Sequence, residues 1–80
     1  MNQIVQAQYL QDTLQLLMQM ARDARIQKDL AIGTDNYTYS LGYLMAFYEV
    51  VTLLQSQAGA FNISLTDLGI NDVSPDHDLL

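Results

Sequence analysis

His77 stands between Asp76 and Asp78, and an imidazole flanked by carboxylates is a pattern that can serve as a general base or a metal ligand. That chemistry needs a rigid shell of packed neighbours. The surrounding segment, NDVSPDHDLL, reads instead as an extended acidic tail, so a solvated histidine is expected. Asp72, Asp76 and Asp78 lack the glycine and closing glutamate of a calcium loop. A serine nucleophile would require a nearby base, and the single histidine is far along the chain from Ser40 and Ser56. No nucleophile elbow, phosphate loop or dinucleotide fingerprint is present. The expectation is a protein that is not an enzyme and carries no cofactor or metal.

Arg22, Arg25 and Lys28 are the three basic residues of the chain. Together they could hold an anion, but Asp23 and Asp29 are interspersed among them. Placement near the negative end of a helix dipole, with the tail aspartates Asp72, Asp76 and Asp78 close by, explains the grouping better. These six are the residues expected to make electrostatic contacts. A net charge of -6 repels nucleic acid and anionic membrane, so neither is an expected partner.

Eighty residues form one small domain, which buries only about 60% of the surface its unfolded chain exposes. Without cysteines, and with one histidine, disulfides and a zinc cluster are excluded as supports, which leaves self-association or a partner. The first residues lack the basic start and apolar run of a signal peptide, and a cytoplasmic location is expected. Leu41 to Leu54 is too short, and too interrupted by Glu49 and Thr52, to span a bilayer.

Two elements must position whatever this protein uses. From about Gln3 to Ile32 there is neither proline nor glycine, and Ala7, Leu10, Leu14, Leu17, Ala21 and Ala24 recur at helical spacing. Gly33 suits a left-handed helix end and GTDN a turn. A second helix is then expected from near Thr38 to about Ala58, antiparallel to the first, with Asp35, Asn36, Thr38 and Ser40 all candidate caps. Ser64 and Asp67 resemble a capping box, with Ile63 and Leu68 as a staple, so a short third helical turn closed by Gly69 is expected. Residues 1–70 are thus read as an antiparallel helical hairpin domain and residues 71–80 as an acidic C-terminal tail.

The second helix is apolar over an arc of roughly 220°, about twice what one packing face needs. Leu41, Leu44, Tyr48 and Val51 are assigned to the first helix. Tyr39, Tyr43, Phe47, Val50 and Leu54 are then left for a partner, and tyrosine suits such a surface because it pairs apolar area with a water-tolerant hydroxyl. The expectation is a small protein-binding module, an adaptor, regulator or assembly subunit, whose simplest partner is a second copy that completes a helical bundle. In size and charge the chain also resembles small acidic helical proteins of phages, including anti-defence proteins. That resemblance is one of composition and implies an inhibitor that imitates nucleic acid and blocks a basic site. Glutamine fills much of the first helix where such a mimic would carry acid.

Overall fold

The computed structural model describes residues 3–69 and 74–79, apart from the side chain of Asp78. Helix α1 runs over Gln3–Leu30 and α2 over Tyr37–Ala60, and the two pack antiparallel. No strand occurs among the described residues. Helix α1 stops two residues before the expected Ile32, because the Ala31 amide is shared between the carbonyls of Gln27 and Lys28 and the Ile32 amide reaches Asp29. These tightened bonds lead into Gly33 at φ +82°, a conformation in which a Cβ would be strained. Thr34 then organises the turn. Its hydroxyl donates to the Ala31 carbonyl at 2.7 Å and accepts the Asn36 amide at 3.2 Å. Asn36 occupies the cap position of α2, but its side chain makes no capping hydrogen bond.

The contact between the helices mixes large and small side chains from both of them. Helix α1 buries Leu14, Met18, Ala21 and Ala24, and α2 buries Leu44, Val51 and Ala58. Leu44 and Val51 are fully buried, as expected for the stripe that faces α1. Tyr48 is half-buried against the same core, whereas Leu41 is exposed. The stripe assigned to α1 needs correction at its start. Ala7 and Leu10 are exposed, and Met18, which is outside the expected stripe, lies in the core. The reason is that burial on α1 begins at Leu14, and from there Met18 is the next residue one turn on.

Helix α2 continues past Gly59, and its end is set by Asn62 at φ 56°. The Ile63 amide bonds the Ala58 carbonyl at 2.8 Å and the Asn62 amide bonds Gly59 at 3.2 Å, the double closure of a Schellman end with asparagine in the left-handed position. In the following segment the Ser64 hydroxyl accepts the Thr66 amide at 3.2 Å. Leu68 bonds back to Ser64 and Gly69 to Thr66, so a closed turn forms where the third helical turn was expected. The Gln11 side chain donates to the Asp67 carbonyl and ties this turn to α1. Gly69 ends it at φ +74°, and a Cβ there would meet the Gln15 amide nitrogen at 2.9 Å.

The largest departure from expectation lies in the tail. Pro75–Leu79 is one π-helical turn rather than an extended strand of chain. It touches both helices, and Leu79 is fully buried in the same core cluster as Leu44 and Val51. Residues 75–79 are therefore packed onto the hairpin. The acidic run hid a leucine anchor: hydrophobic burial of one large side chain outweighs the preference of its polar neighbours for solvent, because those neighbours remain at the rim. Asp72 lies outside the described residues, as does the side chain of Asp78.

Candidate interaction surface

With Leu44 and Val51 turned toward α1, helical geometry puts Tyr48 roughly 40° to one side and Phe47, Leu54 and Tyr43 roughly 60° to 100° to the other. The hairpin groove thus has two flanks, and the chain treats them differently.

On the Tyr48 flank the C-terminal turn is docked. The Tyr48 hydroxyl donates to a carboxylate oxygen of Asp76 at 2.5 Å, and the Arg25 guanidinium donates to the His77 carbonyl at 3.1 Å. The hydrogen bond to the Asp76 carboxylate pushes the Tyr48 phenol above its ordinary value, and the charge of that carboxylate adds to the effect. Both polar contacts are exposed and frame the buried Leu79.

On the other flank α2 carries a continuous ladder of rings. Tyr39 and Tyr43 stack with centroids 6.4 Å apart, and Tyr43 meets Phe47 edge-on at 5.1 Å. The spacing of four residues makes these contacts, since such pairs are neighbours on a helix surface. Tyr39 is 76% exposed, Tyr43 47% and Val50 42%. Phe47 and Leu54, the other two residues expected to face a partner, are half-buried and pack against the hairpin core. The row then runs into a recess of about 160 Å³ lined by Leu10, Leu14, Leu54, Ala58, Phe61 and Leu68 among others. Phe61 is 72% exposed, and sequence reasoning missed it because it follows the expected end of α2.

The basic group has a modest role. Lys28 contacts the Asp29 carboxylate at 2.7 Å and Arg25 approaches it at 4.0 Å. The hydrogen bond from Lys28 holds Asp29 below the usual carboxylate range, with the charges of Lys28 and Arg25 in support. Arg25 reaches the C-terminal turn through the His77 backbone carbonyl. Arg22 lies on an open surface with Arg25, Ile26 and Asp29. The His77 side chain is exposed, and among the described residues no three metal-ligating side chains gather. Among the same residues no helix is long and apolar enough to cross a membrane. No protein-family model, curated protein or solved structure matches the chain.

Proposed function

We propose that this protein is a non-enzymatic binding module that acts through the aromatic flank of α2, and that its partner there is a second copy of the chain. The observation that carries the reading is the uncovered row of Tyr39, Tyr43 and Val50, continuous with the half-buried Phe47 and Leu54. Phe61, at the end of the row, is also 72% exposed, and large aromatic side chains left bare in line with one another suit an interface. An elongated shape of 48 × 23 × 16 Å gives the row the length to pair side by side, and two hairpins so paired make a four-helix bundle.

The rival, an acidic inhibitor that imitates nucleic acid, would have to act through carboxylates other than Asp29 and Asp76, which Lys28 and Tyr48 engage. Light scattering of the wild type and of Val50→Lys tests the proposal. A dimer is expected for the first and half its mass for the second, because an unpaired charge would be buried at the interface. A wild type that stays monomeric at high micromolar concentration would refute self-pairing. Loss of target binding by about tenfold on moderate salt would favour the inhibitor.

A further inference from the structure

We infer that the C-terminal turn Pro75–Leu79 is an intramolecular latch that closes the second flank of the hairpin groove and so limits assembly to the aromatic flank. Three observations on the same flank carry this.

Leu79 is one of the three largest fully buried side chains, with Leu44 and Val51. The groove therefore includes a site for one leucine, filled by the chain itself. The polar contacts that hold it include, at the rim, Tyr48 to Asp76 and Arg25 to the His77 carbonyl. The turn is only five residues long and π-helical, a form with little intrinsic stability of its own. Its place is held by the leucine anchor and the rim bonds, not by its own backbone.

If this turn lifts, the core cluster that Leu79 shares with Leu44 and Val51 opens on that side. The hairpin then presents apolar surface on both flanks of one groove, the arrangement that lets copies add side by side without closure. With the turn in place one flank remains. The latch thus fixes how many copies can join, and its occupant is this chain's own leucine.

This inference uses the aromatic flank of the proposed function, but its test separates the two. The full chain carrying Leu79→Asp is compared with the wild type by light scattering and circular dichroism, and hydrogen exchange is followed over residues 75–79. The expected result is retained helix signal, free exchange in 75–79, and a mass that climbs above the wild-type value with concentration. A wild-type monomer whose Leu79→Asp form associates would sink the dimer proposal and keep the latch. A wild-type dimer whose Leu79→Asp form stays a dimer, with 75–79 exchanging freely, would sink the latch and keep the dimer.

Because Leu79→Asp adds a charge, the pair Tyr48→Phe and Asp76→Ala provides a milder opening. Removal of one rim hydrogen bond should raise exchange in 75–79 by about fivefold while the helices keep their protection. If Leu79→Asp loses its helix signal, and the rim pair raises exchange in the helices as much as in the turn, the turn is an inseparable part of the core and the latch is wrong. If the rim pair raises exchange in the turn alone, the latch stands.

Discussion

The two flanks of the hairpin groove begin from similar material and end differently. Both start from apolar residues of α2 beside Leu44 and Val51. One is sealed by a turn that arrives from far along the chain with a leucine and an aspartate. The other holds four-residue-spaced rings that satisfy one another but leave their outer faces bare. The difference teaches that width of an apolar arc does not by itself count partners. Part of a wide arc can be covered by a short segment of the same chain, and only the remainder is available outside.

Substitutions can break or sharpen this comparison. Leu44 serves both flanks, and Leu44→Ala should lower the stability of the whole hairpin by about 2 to 5 kcal/mol, measured by denaturant unfolding. Val50→Lys acts on the bare flank alone. It should halve the mass in light scattering while much of the helix signal remains, and a hairpin that cannot persist alone would show concentration-dependent unfolding. Gly69→Ala should cost about 1 to 2 kcal/mol, chiefly through the left-handed backbone, since the Gln15 side chain that a Cβ would meet can move aside.

Tyr48→Phe should have a small effect, since its hydrogen bond to Asp76 is exposed, and only on the sealed flank. The same contact gives a pH signature. The Tyr48 phenol is raised by its bond to Asp76, so the stability it contributes is complete below the ordinary phenol value of about 10 and is lost as pH rises through the higher folded-state value. A spectroscopic tyrosine titration should contain one component above the ordinary range, and Asp76→Ala should remove it. His77→Ala should change stability by less than about 0.5 kcal/mol, since its side chain is exposed and the chain offers Arg25 a carbonyl with any residue there.

The hairpin was legible in the sequence because its signals are local. The three-four spacing, Gly33 and the turn residues GTDN act within a few positions, and they place α2 within two residues of its observed ends. The face of α2 was legible at Leu44 and Val51 for the same reason. Met18 was not, because it lies outside the three-four stripe read from Ala7 to Ala24, and only the position of the partner helix brings it inward. The docked turn was hidden for a different reason. A single leucine among aspartates carries no periodicity, and its burial follows from a groove that exists only once both helices are paired. Phe61 went unread because the Asn62 cap, not Gly59, ends α2.

The separation in sequence between the rim contacts has a consequence for the order of folding. The Arg25 bond to His77 closes 52 residues and the Tyr48 bond to Asp76 closes 28, whereas the hairpin folds around a turn of a few residues. Local contacts form first, in microseconds to milliseconds for helical proteins, because loop closure costs them least. Refolding chains should therefore pass through a hairpin whose groove is still open on both sides. In that interval concentrated chains can meet through the wrong flank. Yield on dilution from denaturant should consequently fall as protein concentration rises, even though the finished molecule stays dispersed at the same concentration.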